Sequence, residues 1–444
     1  MEGDLEAAFC PKRFVRYEEG TSFLSTLTSL QRRIGDLVVV DPTRASMLFE
    51  TLLAGCHAKA DEVDGSSGQF GEFVAGLFGA WVAARQASGA ATGETIRRLL
   101  ACLDDDPHGF ASRIERTIVD AFDRCGLAEF RRALEARLAS ATEPKPATAE
   151  GAAIRSAESE RRRCGEILRA IHVRSGDVEA YAELCRATAL SADDCRQIAT
   201  MLHARNDSVD ALDWIERGSA LLRAGSHGWS GEYALSKLKR EVLVGLGRNE
   251  EAIAQAWTDF RAGPSTYTYE TLLALVPASE RTAVHAEAID AAERASLAVL
   301  IPLWIATREV DRLLARVSAM TDAALEAESH GTLEPAATAI EPDHPAIAAR
   351  VHRALGMRIL ASRKSKYYDE ALLHFDAAKR CYARANLEAA WRDVVTSVRR
   401  DHYRKSVISG FERVVAGVRP PEKRSFLDEA RDHWRRRTGL EHRS

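Results

Sequence analysis

The sequence of 444 residues lacks the short motifs that mark most enzymes and cofactor-binding domains. It has no G-x-S-x-G nucleophile elbow, no H-E-x-x-H metal motif and no glycine-rich phosphate loop of the usual spacing. Its 8 cysteines are scattered, so they form no CxxC pair for zinc binding or redox chemistry. We therefore expect no catalytic residue, no cofactor and no metal site. Unpaired thiols are typical of a reducing cytoplasm.

A strong charge and a long apolar run are also lacking. The formal net charge is −4 and the pI is near 6.4, so the molecule as a whole does not attract nucleic acid or an acidic lipid surface. The strongest apolar run, residues 295–306, contains Pro302 and is too short to cross a bilayer. The N-terminus carries Glu2, Asp4 and Glu6 and lacks the order of a signal peptide. We predict a cytoplasmic protein with no membrane partner.

Apolar residues recur three and four positions apart along nearly the whole chain, as in the series Ile114, Ile118 and Phe122. This spacing places them on one face of an α-helix. Only residues 37–40 (LVVV) resemble a strand. We predict an all-α protein.

A short pattern with a central alanine recurs in the C-terminal part. Residues 178–184 (VEAYAEL) are echoed 31 positions later by residues 209–215 (VDALDWI). An alanine lets two antiparallel helices approach closely without the entropy cost of glycine. Such repeats stack into an α-solenoid, because no single helical hairpin can bury its apolar face alone. The alanines that mark the pattern are Ala180, Ala211, Ala252 and Ala371.

The composition divides the chain into four parts. Residues 1–140 are predicted to form an N-terminal helical module. Residues 141–155 are predicted to be a linker, because they include two prolines and no large apolar residue near their start (ATEPKPATAEG). Residues 156–416 are predicted to form the helical-repeat domain, and residues 417–444 a basic C-terminal helix or tail.

A second group of prolines, Pro335, Pro342 and Pro345, interrupts residues 331–345. We predict a loop between helix pairs there, because proline removes a backbone donor inside a helix. Pro345 suits the first turn of a helix, so a new helix is predicted from Pro345 to about residue 362.

The segment from Gly247 to Pro264 resembles the second half of a tetratricopeptide repeat. In that family a glycine opens the turn, an alanine lies at the helix crossing and a proline closes the unit. Gly247, Ala252 and Pro264 match these places, whereas residues 233–244 lack the Trp, Leu-Gly and Tyr set of the first half. The resemblance implies a divergent tetratricopeptide-like α-solenoid without peptide-binding residues to transfer.

Seven short segments spread over most of the chain carry a second resemblance. They are residues 13–19 (RFVRYEE), 61–66 (DEVDGS), 178–181 (VEAY), 247–252 (GRNEEA), 368–371 (YDEA), 385–391 (ANLEAAW) and 402–405 (HYRK). In these segments the chain is similar to an uncharacterised bacterial helical-repeat family, and to the region that follows the SWIM zinc finger in some bacterial proteins. The zinc finger itself, C-x-C followed by C-x-H, is absent. The resemblance therefore implies helical architecture without zinc and without an assigned activity.

Residues 391–444 are basic in a chain that is acidic overall, with 14 Lys and Arg against 8 Asp and Glu. These cations would hold a phosphate backbone, and a tyrosine among them would stack on a base. The alternative is a solvated polar face on a terminal helix. The candidate residues for contact with an anion or a nucleic acid are Arg399, Arg400, Tyr403, Arg404 and Lys405.

The 13 histidines offer no metal motif that we identify. We expect no histidine and carboxylate at ligand spacing on one helix. His344 and His352 are eight positions apart, about 12 Å along a helix, which is too far for one ion. The histidines are therefore predicted to be structural.

Three functions fit this sequence. The first is a non-enzymatic scaffold or adaptor whose helical-repeat surface binds a protein partner. The alternative is a nucleic-acid-associated accessory factor that uses the basic C-terminal helices. The third is an enzyme with an active site in a cleft between helical modules. The sequence indicates neither the identity of the partner nor the oligomeric state.

Overall fold

Over the described residues the protein forms 23 α-helices and no β-strand, which confirms the predicted all-α class. Residues 37–40, which resemble a strand in sequence, form none, because Leu37 ends a helix and the following residues form a turn between two helices. Val39 and Val40 in this turn are exposed. The computed structural model describes residues 2–9, 13–110, 114–142, 151–224, 229–402 and 405–420.

The chain divides into two compact units, Met1–Gly247 and Arg248–Ser444. Within each unit, extensive contacts join helices that lie at most three apart in chain order. The helices of the first unit are α1 Glu2–Phe9, α2 Tyr17–Leu37, α3 Pro42–Lys59, α4 Gln69–Ala87, α5 Thr92–Asp104, α6 Glu115–Ala121, α7 Arg124–Thr142, α8 Gly151–Ser175, α9 Val178–Thr188, α10 Ala192–Ala204, α11 Ser208–Ala224 and α12 Trp229–Gly245. The helices of the second unit are α13 Asn249–Ala262, α14 Thr266–Leu275, α15 Arg281–Ala292, α16 Leu297–Thr307, α17 Val310–Ala319, α18 Asp322–Ala327, α19 His330–Ile340, α20 Pro345–Ser362, α21 Tyr368–Arg384, α22 Glu388–Asp401 and α23 Lys405–Val415.

Side-chain caps explain where many helices begin. Asp41 accepts a hydrogen bond from the Arg44 amide at 3.0 Å, at the start of α3. Ser191 accepts one from the Asp194 amide at 3.1 Å, at the start of α10. Each cap satisfies an amide that the first helical turn leaves unpaired, and contributes about 1 kcal/mol. The predicted helix start at Pro345 is confirmed.

The loop predicted at residues 331–345 is wrong, because most of this segment belongs to α19. Ser329 caps the helix by accepting a hydrogen bond of 3.1 Å from the backbone amide three positions ahead. Pro335 lies in the middle of this helix of 11 residues, and its missing N–H removes one intrahelical hydrogen bond. Burial of an apolar face compensates for that loss. This face consists of Leu333, Ala336, Ala337 and Ile340.

Small residues allow close helix crossings in both units. A Cβ atom added to Gly218 of α11 would lie 3.0 Å from Cys195 Cβ and 3.0 Å from Leu235 Cδ1. In the second unit, a Cβ atom at Gly356 of α20 would lie 2.8 Å from Phe375 Cζ. A larger residue at either glycine would push two helices apart.

The first unit contains two clusters of buried apolar side chains, one from α1 to α9 and one from α9 to α12. The second unit contains one cluster, in which Trp304, Phe375 and Phe411 are almost completely buried. These clusters hold each unit together by burial of apolar area.

Residues 143–150 of the predicted linker lie outside the described residues. The ends of that linker belong to α7 and α8, which pack against each other. Among the described helices, none combines the length and the apolar character that a bilayer crossing requires.

Candidate functional site

The predicted repeat-packing alanines lie mostly in the core. Ala211, Ala252 and Ala371 are each 0% exposed, whereas Ala180 is half-buried. The Ala180 amide donates a hydrogen bond of 3.1 Å to the Asp177 side chain, which caps α9. Three of the four alanines therefore take part in core packing, and Ala180 helps to begin its helix.

Gly247 and Pro264 lie in the turns on either side of α13. Gly247 has a φ of +72°, a left-handed conformation that glycine adopts without strain. Pro264 precedes Ser265, whose side chain caps α14. Both residues thus lie between helices, as the tetratricopeptide resemblance implies.

Arg399 and Arg400 lie in the last turn of α22. Arg399 makes two hydrogen bonds with Glu412 of α23, at 2.8 and 2.7 Å. Arg400 makes two with Asp401, both at 2.8 Å. Each guanidinium charge is therefore compensated by a carboxylate. Exposed ion pairs contribute only about 0–1 kcal/mol, so a phosphate can compete with these carboxylates.

The other predicted basic-site residues are described only in part. Tyr403 and Arg404 lie outside the described residues, as do residues 421–444 of the predicted tail. Lys405 is the first residue of α23, and its side chain lies outside the described part. Arg399 and Arg400 are therefore the members whose contacts can be assigned.

An open groove of about 710 Å³ lies between α10, α11 and α12. Asp193 and Arg196 border it and form an ion pair at 2.7 Å. Leu221 is 37% exposed within the groove, whereas Leu235 is buried at its base. The groove therefore offers apolar side chains to solvent beside a charged edge. Its apolar and small lining residues are Leu190, Ala192, Leu221, Leu222, Gly231, Ala234 and Leu235.

A second groove, of about 720 Å³, lies between α5, α7 and α8 and is polar. Arg137 and Arg163 both form ion pairs with Asp104 and Glu160 there. These four charges compensate one another, so the groove offers less apolar contact to a partner than the first one.

Several thiols are buried and chemically inert. Burial raises the pKa of Cys56 to about 12 and that of Cys195 to about 11. Burial likewise raises the pKa of Cys381 to about 11. A thiol that stays protonated at neutral pH is a poor nucleophile and a poor metal ligand.

Three histidines from consecutive helices meet in the second unit. His330 is the first residue of α19, His352 lies within α20 and His374 lies within α21. His352 and His374 are each 6% exposed, and His330 is half-buried. The packing of α20 against α21 brings the two buried rings into a stacked contact with centroids 5.5 Å apart.

The ring nitrogens of this cluster are within hydrogen-bonding distance of one another. His374 Nε2 lies 2.9 Å from His330 Nε2, and His374 Nδ1 lies 3.2 Å from His352 Nδ1. Glu334 Oε2 lies 3.6 Å from His330 Nδ1, and Glu370 Oε1 lies 3.2 Å from His330 Nε2. One ligand atom from each of His330, Glu334 and His374 lies within 4.8 Å of the other two. Two imidazoles and a carboxylate form a common donor set for divalent transition metals.

Burial keeps the inner histidines neutral. Burial, followed by the nearby His352 and His330, lowers the pKa of His374 to about 3. Burial also lowers the pKa of His352, against the opposing effect of Glu341, whose Oε2 lies 3.5 Å from His352 Nε2. A neutral imidazole presents one lone pair and one N–H, as a metal ligand or a hydrogen-bonding partner must.

Two features of the sequence made this cluster difficult to predict. His330 and Glu334 are four positions apart on α19, and Glu370 and His374 are four apart on α21. The expectation of no histidine and carboxylate at such spacing on one helix is therefore wrong. The prolines that follow His330 favoured a loop around Glu334, so a helical pair was not expected there. In addition, 44 positions separate His330 from His374. The H-x-x-x-E and E-x-x-x-H spacings were the signal that could have revealed it.

Comparison with known proteins places the chain in a family. No curated protein matches it. The model of a family of unknown function, DUF6880, matches residues 6–409, which is nearly the whole chain. This agrees with the resemblance to an uncharacterised family. The chain therefore belongs to DUF6880, a family of unknown function.

Proposed function

We propose that the protein is a non-enzymatic adaptor that binds a segment of a partner protein in the groove between α10, α11 and α12. The observation that supports this proposal is the apolar lining of a groove that is open to solvent. Burial of a leucine side chain contributes about 1.5–3 kcal/mol, so a few apolar side chains of the partner would supply the binding energy. The leucines that border the groove are Leu190, Leu221, Leu222 and Leu235.

The partner segment is amphipathic. Its apolar side chains face the leucines, and its polar side chains face the ion pair of Asp193 and Arg196 at the edge. An amphipathic helix laid in an apolar groove is a common mode of peptide recognition. Small lining residues, including Gly231 and Ala234, leave room for the backbone of such a helix.

We further propose that the helices form a tetratricopeptide-like α-solenoid that works in the cytoplasm. Contacts between helices that are near neighbours in chain order support this arrangement, because a solenoid is held together by adjacent repeats. The buried alanines Ala211, Ala252 and Ala371 support it as well. A relation to bacterial proteins with SWIM zinc fingers is part of the same proposal.

The test compares two charge substitutions on α11. Leu221→Asp places a carboxylate in the groove, whereas Val209→Asp places one outside its lining, at a residue that is 66% exposed. The tagged full chain is expressed in its own cells, and co-purifying proteins are quantified by mass spectrometry. We expect a stoichiometric protein partner that Val209→Asp retains and that Leu221→Asp loses at least tenfold, since a buried unpaired charge costs more than about 1.4 kcal/mol.

Two results contradict the adaptor proposal. One is the absence of any stoichiometric protein partner together with turnover of a small molecule. The other is a partner that Leu221→Asp retains as well as the unmodified chain does.

A second candidate function is association with nucleic acid through the basic C-terminal helices. The observation in its favour is that the side chains of Arg399 and Arg400 are 51% and 72% exposed, in spite of their ion pairs. Exposed arginines can exchange a carboxylate for a phosphate when counterions are released.

A further inference from the structure

Two short motifs of mirrored order meet between α19 and α21. His330 and Glu334 lie on one face of α19, and Glu370 and His374 lie on one face of α21, because each pair is four positions apart. The histidine Nε2 atoms are 2.9 Å apart, and Glu370 Oε1 is 3.2 Å from His330 Nε2. Both carboxylates and the His374 ring thus contact His330.

The contacts of the cluster form a chain between two carboxylates. At one end, Glu341 Oε2 lies 3.5 Å from His352 Nε2. The facing ring nitrogens of His352 and His374 lie 3.2 Å apart, and those of His374 and His330 lie 2.9 Å apart. At the other end, Glu334 Oε2 lies 3.6 Å from His330 Nδ1.

At the Glu341 end of this chain, His352 Nε2 is buried and makes no hydrogen bond.

Glu334 and Glu370 differ from Glu341 in the side chains beside them. Glu341, at the other end of the cluster, has a cation nearby, since Arg380 Nη1 lies 3.7 Å from its Oε1. Among the described side chains, Glu334 and Glu370 have no Lys or Arg partner and contact His330 instead, at 3.6 and 3.2 Å. Two carboxylates beside two imidazoles form a donor set that favours a bound cation.

We propose that His330, Glu334 and His374 bind one divalent transition-metal ion, with Glu370 as a fourth ligand. One ligand atom from each of the first three lies within 4.8 Å of the others. Imidazole nitrogen and carboxylate oxygen suit Zn²⁺ and its first-row neighbours. The site lies in the second unit and the proposed docking groove lies in the first, so either proposal can fail without the other.

The nitrogen spacing fits such an ion after a small movement. Two nitrogens about 2.1 Å from an ion lie about 3.0 Å apart at a right angle and about 3.4 Å apart at a tetrahedral angle. The observed 2.9 Å thus fits a right angle, and a tetrahedral ion requires a shift of about 0.5 Å. A movement of the His330 side chain, which lies at the start of α19, can provide this shift.

His352 is a positioning residue for this site. Its Nδ1 contacts His374 Nδ1 at 3.2 Å and leaves His374 Nε2 directed at His330. A partner on the second ring nitrogen fixes the orientation of a metal-binding histidine.

The test measures Zn²⁺ binding to the full chain after chelation and gel filtration. Glu334→Gln and His330→Gln each remove one ligand at a position that is not fully buried. His285→Gln is the matched control, because His285 also lies 2.9 Å from a glutamate, Glu309, but has Tyr269 as its other partner. We expect one Zn²⁺ per chain by titration calorimetry, binding at least about tenfold weaker in both ligand variants, and unchanged binding in the control.

Co²⁺ absorption separates this site from the cysteines. Cys102 and Cys125 are exposed thiols, and a thiolate ligand adds an intense charge-transfer band that nitrogen and oxygen ligands do not give. Stoichiometric Co²⁺ binding without that band, lost in Glu334→Gln, supports the proposal. Circular dichroism checks that each variant is folded. If His330→Gln does not fold, Glu334→Gln decides the result.

Three outcomes overturn the metal site. They are no stoichiometric Zn²⁺ binding by the folded chain, equal binding by the ligand variants and the control, and a thiolate band with Co²⁺.

Discussion

Thr117 of α6 donates a hydrogen bond from Oγ1 to the carbonyl oxygen of Ala75 in α4, at 3.0 Å. One turn along α4, Gly79 faces the carbonyl oxygen of Thr117, and a Cβ atom there would lie 2.9 Å from it. The two helices are therefore in backbone contact, and only a hydrogen atom fits between them at Gly79.

Gly79→Ala is expected to destabilise the protein by about 1–3 kcal/mol, because the obstructing atom belongs to the backbone of a helix and cannot rotate away. Gly76→Ala on the same helix is the control, since no heavy atom lies within 4 Å of its added Cβ. It is expected to be neutral or to stabilise by up to about 1 kcal/mol. Urea denaturation measures both. Equal effects of the two substitutions would contradict the close crossing.

Asp194 is a buried carboxylate that joins three helices of the first unit. It accepts hydrogen bonds from Arg169 Nε at 2.8 Å, from the Tyr181 hydroxyl at 3.0 Å, and from the Ser191 amide and hydroxyl at 3.0 and 2.7 Å. Burial alone would raise the pKa of Asp194, but the bonds from Ser191 and Arg169 outweigh it and hold the pKa below its usual range.

Asp194→Asn is therefore expected to lower the free energy of unfolding by about 3 kcal/mol or more, because it leaves the Arg169 charge without its partner. Asp193→Asn is the matched control. Asp193 is 79% exposed and pairs with Arg196 on the surface, so its loss costs at most about 1 kcal/mol. Chemical denaturation compares the two variants, and a difference near zero would rule out the network as a stabilising element.

Local patterns in the sequence predicted the helices, but not the contacts between distant ones. The start of α20 at Pro345 follows from local chemistry, since proline suits a first helical turn. The rule that proline interrupts a helix gave a wrong prediction at Pro335, where burial of one face of α19 outweighs a lost hydrogen bond. The contact of His330 with His374 depends on how α19, α20 and α21 pack, and no local period encodes that packing.

His172 predicts a pH dependence of stability in the first unit. Burial, which outweighs the opposing effect of Asp177, lowers its pKa, and its Nδ1 is buried without a hydrogen bond. The folded state then binds fewer protons than the unfolded state below about pH 6.5, so stability falls as the pH drops through that window.

His172→Leu is expected to reduce this acid sensitivity. Between its folded and unfolded pKa values, the histidine changes the free energy of unfolding by up to about 1.4 kcal/mol per pH unit, whereas a leucine at this position does not titrate. Urea denaturation of both proteins at neutral pH and at about pH 5 measures the difference. If the free energy of unfolding changes with pH by the same amount in both proteins, the fold does not keep His172 neutral.

Charge reversal tests the nucleic-acid function at the end of α22. If this function holds, the full chain retards single-stranded RNA at low salt. Arg399→Glu with Arg400→Glu then reduces the slope of log affinity against log salt by about 1–2, as the loss of two phosphate contacts requires. Arg261→Glu with Arg312→Glu makes the same change in net charge elsewhere in the second unit, where both arginines also pair with carboxylates. The two double variants have the same total charge. If the salt slope changes in both, the cause is a general effect of charge. If it changes only in the Arg399→Glu and Arg400→Glu variant, the phosphate contacts lie at α22.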